Sequence, residues 1–257
     1  MSDRAFSVSR TETGDAEPEL ERNVKVLVIG DYAVGKTSFI QRYTNGFFCP
    51  NYKLTIGVDF TEKVLPPKEQ KVAHPNPETG DPEEVVTGTR PALKLQLWDI
   101  AGHERFGNMT HVYYKDATAA VVVFDVLRPG TLDAAQKWKE DVDSKVALPN
   151  GDRIPCLLLA NKVDLAMASP DDTELSNAPA GINPAAISRF AEENRFIGWF
   201  PVSVMSNLNV DASMEKLADA IAEVTKDLTP QAPAPDIIIP DQHVSDTQQQ
   251  RQSCCSN

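Results

Sequence analysis

Cysteine is scarce in this chain: four among 257 residues, with Cys254 and Cys255 adjacent near the C-terminal end. Such a set excludes a disulfide framework and points to a reducing compartment. Positive charge is short as well, with 25 lysines and arginines against 37 acidic residues and a formal net charge of −12. That balance argues against nucleic acid, whose phosphates need a basic face, and against a membrane held by headgroup charge. No apolar run nears the roughly 20 residues of a spanning helix. Met1-Ser2-Asp3-Arg4 reads as neither a signal peptide nor a myristoylation site. Membrane contact, if any, is therefore expected to come from attached lipid. Hydrophobic residues still make up 41% of the chain. A protein of this size keeps on the order of a quarter of its unfolded surface exposed, so a full core needs no staples.

Residues 1–22 are acidic, polar and without periodicity, and read as a disordered tail. From Asn23 onward, strand-like and helix-like segments alternate. The runs 24–29, 119–124 and 154–160 are short and nearly continuously apolar, as buried central strands are. Leu93-Lys94-Leu95-Gln96-Leu97 alternates strictly and is expected half-buried or nearer an edge. Helical spacing runs through Leu132, Ala135, Trp138, Val142 and Val146, with Thr131 as the expected N-cap, and again through Met214, Leu217, Ala218, Ile221 and Val224. The alternation predicts an α/β fold, a parallel sheet with helices on both faces. Three stretches interrupt it. Residues 66–91 are proline-bearing, far longer than a hairpin loop needs, and read as a disordered or lineage-specific partner loop. Residues 169–184 form a second polar loop, and 229–253 carry four prolines and then a glutamine run, the composition of an extended linker. The expected organisation is one domain over 23–228 with an insert at about 66–91, followed by a flexible tail over 229–257.

The chemistry lies at the ends of the predicted strands. Gly30-Asp31-Tyr32-Ala33-Val34-Gly35-Lys36-Thr37, with Ser38 just beyond, fits a P-loop after a strand. Backbone N–H groups of such a turn face phosphate oxygens, and the helix N-terminus behind it favours negative charge. Lys36 would reach the β/γ oxygens, and the Thr37 hydroxyl would bind Mg²⁺. Asp99-Ile100-Ala101-Gly102 closes the alternating strand. Asp99 can hold Mg²⁺ through water, and the Gly102 amide can approach a γ-phosphate because no Cβ intervenes. Asn161-Lys162-Val163-Asp164 follows another buried strand. A carboxylate at Asp164 accepts from guanine's ring N–H and exocyclic amine, both of which adenine lacks. Asn161 could pin the loop, and the Lys162 stem could lie along the base. Taken singly, each motif competes with an ordinary turn or loop after a strand; their joint order favours a guanine nucleotide.

These residues resemble the small GTPases of the Ras superfamily and, within it, the Rab family. Ile56-Gly57-Val58-Asp59-Phe60 is similar to the Rab switch I signature. Trp98-Asp99-Ile100-Ala101-Gly102-His103-Glu104-Arg105-Phe106 is similar to the start of switch II, and Tyr113-Tyr114-Lys115-Asp116-Ala117 to a further Rab segment. Ile100, Gly107-Asn108-Met109-Thr110 and Lys145-Val146-Ala147-Leu148-Pro149-Asn150-Gly151 resemble the Rab thirty-two/thirty-eight branch. The resemblance implies a three-layer G domain whose six-stranded, mostly parallel sheet has one antiparallel edge strand. It implies a membrane-anchored GTP/GDP switch that recruits effectors in traffic to endosomal or lysosome-related organelles. The expected location is the cytoplasmic face of endosomal, lysosome-related or mitochondria-associated membranes, with a soluble cytosolic pool.

By the same resemblance, Thr55 completes the Mg²⁺ shell and Phe48 packs against guanine. Ile56, Gly57, Val58, Asp59, Phe60, Trp98 and Tyr113 face effectors, with Phe60, Trp98 and Tyr113 as an exposed aromatic triad; a plain core role competes for Trp98. Ser203-Val204-Met205 replaces the family's Ser-Ala-Lys; the Val204 N–H can still meet guanine O6, and Met205 keeps an apolar stem over the ring. His103 stands where the family uses Gln to orient the attacking water, which implies slow intrinsic hydrolysis by Lys36, Thr55, Gly102 and His103. Tyr32 adds bulk where an Arg from an activating protein would enter. A TBC-type activator supplying Arg and Gln in trans would provide on the order of 10⁵-fold, about 7 kcal/mol. Other implied partners are an exchange factor, an escort protein, a GDP-dissociation inhibitor and effectors around a monomeric G domain. Cys254 and Cys255 resemble the di-cysteine tail that takes two geranylgeranyl groups, and two chains anchor where one does not. Two alternatives stay open beside the cycling switch. One is a GTP-locked scaffold with negligible turnover, which His103 and Tyr32 motivate. The other is a metabolic P-loop kinase, against which the guanine-reading segment and the cysteine tail argue.

Overall fold

A computed structural model describes residues 22–51, 53–75, 82–103, 110–166 and 183–226. The two tails, residues 104–109 and most of the 169–184 loop lie outside the described residues, as do Cys254 and Cys255. The described residues form eight strands: β1 (Arg22–Gly30), β2 (Val58–Leu65), β3 (Lys68–Pro75), β4 (Pro82–Arg90), β5 (Leu93–Ile100), β6 (Ala119–Asp125), β7 (Cys156–Asn161) and β8 (Trp199–Val202). Six of them form one sheet in the order β2-β5-β1-β6-β7-β8. All its pairings are parallel except that of β2 with β5.

The two-residue side-chain period sorts each central strand between two cores. Val24, Val26, Val28, Leu93, Leu95, Leu97, Val121, Val123, Leu157 and Leu159 face one side, where helices α1 (Lys36–Asn45) and α6 (Val210–Val224) cover them with Phe39, Ile40, Met214, Leu217 and Ile221. Leu27, Ile29, Ile100, Val122, Phe124, Leu158 and Ala160 face the other. That side is covered by α2 (Thr110–Tyr114), α3 (Gly130–Lys145), α4 (Val163–Ala166) and α5 (Pro184–Glu193) through Tyr114, Trp138, Val142, Val163 and Ile187. Both faces being covered is why the central runs read as continuously apolar. β5 lies one strand in from the edge, so its alternation gives way to full burial only at Trp98, Asp99 and Ile100.

Two expectations change. Thr131 is not the N-cap of α3, which Pro129 precedes; Thr131 sits within the first turn. Its hydroxyl accepts from the Asp125 N–H at 3.0 Å and lies 2.7 Å from the Arg128 carbonyl, so it ties the helix start to the end of β6. The other change is at 66–91, expected to be a disordered or partner loop. β3 and β4 pair there as a separate antiparallel ribbon, from Lys68 opposite Arg90 to Pro75 opposite Pro82, with a bulge at Gln70/Lys71. Proline lacks the N–H a ladder needs. Pro66, Pro67 and Pro91 lie in the gap between the end of the β2–β5 pairing at Leu65/Leu93 and the start of the β3–β4 pairing at Lys68/Arg90. The ribbon base is fastened to α6. The Arg90 side chain, 1% exposed, places Nη1 3.2 Å from Glu215 and 3.6 Å from Asp219, and Lys68 Nζ lies 2.9 Å from Glu215.

Trp138 fills the space between α3 and the sheet at 1% exposure. Trp138→Ala is expected to cost about 3–5 kcal/mol in chemical denaturation with nucleotide present. The exposed neighbour substitution Lys137→Ala should stay within about 0.5 kcal/mol.

Candidate functional site

In a parallel sheet every strand points its C-terminal end to the same edge, and ligands bind in the crevice there. The motif-bearing segments all lie along that edge, at the ends of β1, β5, β7 and β8. The loop after β1 is drawn tight. Gly30 has φ 142°, and a Cβ on it would lie 2.2 Å from the Val123 carbonyl of β6. Gly35 has φ 102°, and a Cβ there would lie 2.4 Å from Asn161 Nδ2. Ala33 takes a left-handed φ of 54° between them. Lys36 arches back over the loop, its Nζ donating to the carbonyls of Gly30 at 3.0 Å and Asp31 at 2.9 Å. Burial pushes this ammonium down to about 8, against the pull of Asp99 and Asp31. An anion bound at the loop would push it back up.

Beside the lysine, three oxygen-bearing side chains from three segments meet. Thr37 Oγ1 donates to Asp99 Oδ2 at 2.5 Å, the Thr37 and Thr55 hydroxyls lie 2.7 Å apart, and Thr55 Oγ1 is 3.3 Å from the same carboxylate oxygen. Asp99 is 2% exposed, and its Oδ1 has no hydrogen-bond partner. Burial raises its pKa, with the Thr37 bond and the Lys36 charge opposing. Two hydroxyls and a carboxylate with a spare buried oxygen make a hard-oxygen set that fits a small divalent cation. Gly102 presses on the first loop: a Cβ there would be 2.3 Å from the Tyr32 nitrogen and 2.6 Å from the Tyr32 Cα. The Ala101 N–H donates to the Gly57 carbonyl at 2.9 Å, joining the segment after β5 to the one before β2. His103, next in the segment, is exposed.

On the other flank, Asn161 donates through Nδ2 to the Val34 carbonyl at 2.8 Å and accepts from the Val204 N–H at 3.4 Å. It thus joins the loop after β1 to the segment after β8. Lys162, at φ 71°, donates to the Ala33 carbonyl at 3.1 Å. Asp164 is half-buried on α4. Ser203 is buried, its Oγ accepting from the Ser206 N–H at 3.0 Å, and Met205 stands exposed. Phe48 packs partly buried against the same core face as α1 and α6.

Three residues that the motifs did not mark complete this edge. Arg42 of α1 donates to the carbonyls of Val204 at 2.8 Å and Met205 at 2.7 Å. Asp125 ends β6, and its Oδ2 accepts from Lys162 Nζ at 2.7 Å and from Arg128 Nε at 3.0 Å. Arg128 in turn donates to the Tyr32 carbonyl at 2.8 Å. A carboxylate closing a wholly apolar strand was the available signal for Asp125.

The aromatic positions depart from the expected exposed triad. Trp98 is buried to 9%, with Lys25 Nζ 3.6 Å from its ring centroid and Phe60 meeting it edge-on at 5.8 Å. Phe60, Tyr113 and Val58 are half-buried against the same core cluster. An alternating strand that ends between two covered faces leaves Trp98 little surface. Ile56, by contrast, is 84% exposed.

Comparison with known proteins adds to this geometry. Residues 25–164 match a family model described as Ras of Complex, Roc, domain of DAPkinase. The chain is 44% identical over 240 residues to the Ras-related protein Rab-32B of Dictyostelium discoideum, covering 93% of this chain and 80% of that one. It is 44% identical over 195 residues to human Ras-related protein Rab-7L1, covering 76% of this chain and 80% of the relative. With human Ras-related protein Rab-32 it shares 43% over 205 residues, 79% of this chain and 77% of the relative.

Gly35→Ala would force a side chain into a left-handed conformation and against the buried Asn161 amide. We expect it to weaken GDP binding roughly 10- to 100-fold, the cost of about 1–3 kcal/mol for a displaced buried hydrogen bond. Titration with a fluorescent GDP analogue checks this.

Proposed function

The chain belongs to the Rab family of Ras-related small GTPases, in the branch that includes Rab-32, and from that footing we propose how its residues run the GTP cycle. As a member it binds GTP and GDP, hydrolyses GTP, and works with regulators and effectors in membrane traffic. Among the described residues, no helix is long and apolar enough to cross a membrane.

The reading is carried by the meeting of Thr37 and Thr55 at Asp99 Oδ2, beside a buried Oδ1 that has no partner. We assign these three to Mg²⁺. The ion would supply positive charge against the β- and γ-phosphate oxygens. Lys36 binds the same oxygens from across the loop, and the amides of Ala33, Val34, Gly35, Lys36, Thr37 and Ser38 line the phosphate side. Thr55 and the Gly102 amide meet the γ-phosphate from opposite segments. Because Ala101 and Gly57 are hydrogen-bonded, loss of that phosphate would release both segments together. Asp164 reads guanine's two donors, Val204 offers its N–H to O6, and Phe48, Lys162 and Met205 cover the ring. Ser203 shapes the Val204 turn through its bond to Ser206.

His103 orients the attacking water in place of the family's Gln, and intrinsic turnover is slow. A TBC-type activator would raise it in trans. Ile56, Gly57, Val58, Asp59, Phe60 and Tyr113 present the effector surface, with Trp98 supporting it from beneath. An exchange factor, an escort protein and a GDP-dissociation inhibitor complete the cycle. Two geranylgeranyl groups on Cys254 and Cys255 anchor the chain to the cytoplasmic face of endosomal, lysosome-related or mitochondria-associated membranes. The GTP-locked alternative keeps one support: the Tyr32 ring, 57% exposed, stands at the loop with the Arg128 guanidinium 5.2 Å from its centroid.

Chelation of magnesium should speed GDP release from the wild type by about tenfold or more, equivalent to at least about 1.4 kcal/mol. Release from Asp99→Asn should already be fast and insensitive to chelator. A wild type that releases GDP equally with and without chelator would overturn the assignment. Separately, His103→Gln should accelerate single-turnover hydrolysis about tenfold. An unchanged rate would mean that the histidine is not limiting.

A further inference from the structure

We propose that Asp125 and Arg128 form a brace that sets how long a guanine nucleotide stays bound, with Arg128 as a positioning residue for the phosphate loop. This rests on the reading above that the loop 30–37 and the segment 161–164 hold the nucleotide, and it assigns a role to two residues outside every motif.

Asp125 is the last residue of β6, with Asn161 of β7 as its register partner. It is 2% exposed. Its backbone N–H donates to Thr131 Oγ1 at 3.0 Å, and its Oδ1 accepts from the Leu127 N–H at 3.0 Å. Strand and helix start therefore fix the carboxylate from two sides. Burial alone would raise its pKa, but the bonds from Lys162, the Leu127 N–H and Arg128 outweigh it and hold the group below the usual carboxylate range. The charge stays on at neutral pH.

Oδ2 then gathers two cations, and each reaches a different carbonyl of the phosphate loop. Lys162 takes that of Ala33 at 3.1 Å, and Arg128 takes that of Tyr32 at 2.8 Å. Asn161 takes the next, that of Val34, at 2.8 Å. A trans peptide is planar, with its C=O and its N–H pointing in opposite directions. Pulling the Tyr32, Ala33 and Val34 carbonyls outward thus aims the amides of Ala33, Val34 and Gly35 inward, where phosphate oxygens would lie. Lys162 and Asn161 belong to the base-reading motif. Arg128 supplies the third anchor, and Asp125 holds both Arg128 and Lys162 in place. An Arg–carboxylate contact on a solvated helix end would by itself be worth little. What distinguishes this one is that the fork continues to a loop carbonyl.

Arg128 is one-third exposed at its side chain, and its backbone carbonyl, not its guanidinium, receives the first-turn bonds of α3. Truncating it leaves no cavity and keeps the helix start. The full-length protein, loaded with a fluorescent GDP analogue, gives the test. Arg128→Ala should speed GDP dissociation about tenfold, equivalent to about 1.4 kcal/mol. The association rate and the melting point under excess nucleotide should hold. Arg128→Lys should recover much of the slow release, because an ammonium can still reach the Tyr32 carbonyl. Arg128→Ala combined with Asp125→Asn should release no faster than Asp125→Asn alone, as members of one network do not add. Unchanged dissociation in Arg128→Ala, or a faster one with a lowered melting point and no rescue by lysine, would overturn the brace. A wild type that fails to bind GDP would instead overturn the reading of the site itself.

Discussion

A buried carboxylate that the protein alone leaves half-satisfied is the constraint around which this molecule is arranged. Asp99 ends β5 at 2% exposure, spends Oδ2 on two threonine hydroxyls, and leaves Oδ1 with nothing. An unpaired buried oxygen costs free energy that folding must find elsewhere. The donors it does hold come from α1 and from the segment before β2, so one side chain keeps three parts of the chain together. Its unmet valence is what a cation would satisfy, and ligand affinity and local order therefore depend on the same atom. Lys36 stands in the converse position, a buried ammonium held by two carbonyls and waiting for an anion. A buried ammonium and a buried carboxylate thus face the same crevice.

Much of this was legible in the chain because the two-residue and 3.6-residue periods are strict where both faces are covered. The runs 24–29, 119–124 and 154–160 and the helical spacings through Trp138 and Leu217 all fall on the strands and helices they imply. The glycines of the phosphate loop were legible for a different reason: only a residue without Cβ fits 2.2 Å from Val123 or 2.4 Å from Asn161. Other features were not legible because they depend on tertiary partners. Nothing local says that Arg90 will be buried against α6, or that Thr131 will reach back to β6. The ribbon at 66–91 was hidden by its prolines, which mark joints between paired segments as readily as they mark loops. Trp98 looked exposed by family pattern, while its strand position buries it. Asp125 and Arg128 belong to no motif, since their partners are backbone carbonyls, which every residue carries.

The buried Trp98 changes how an effector surface would be built here. A tryptophan at 9% exposure, with Lys25 above its ring and Phe60 edge-on, contributes shape and rigidity more than contact area. Burial pushes the Lys25 ammonium down to about 8, and its donation to the Lys115 carbonyl at 2.9 Å fixes it over the ring. Discrimination between partners would then fall to what stands outward, chiefly Ile56 at 84% exposure and the half-buried faces of Phe60 and Tyr113. Those residues precede or follow Gly57, whose carbonyl is tied to Ala101. A surface so connected cannot keep its form if the segment after β5 moves.

That connection also bears on how a hydrolase as slow as proposed could still be a decisive switch. The energy available to redistribute the two segments is limited to the difference in their contacts with and without the γ-phosphate. Thr55 and Gly102 are the proposed contacts, and both also have protein neighbours: Thr55 has Thr37 and Asp99, and the Gly102 backbone lies close to Tyr32. Contacts that the protein itself supplies to these two residues would lower the ordering cost of the triphosphate state. By the proposed roles, His103 in place of the water-orienting Gln and Tyr32 at the loop would act on the rate at which that state is lost. Stability of the active form and its persistence would thus be separate properties, set by different residues.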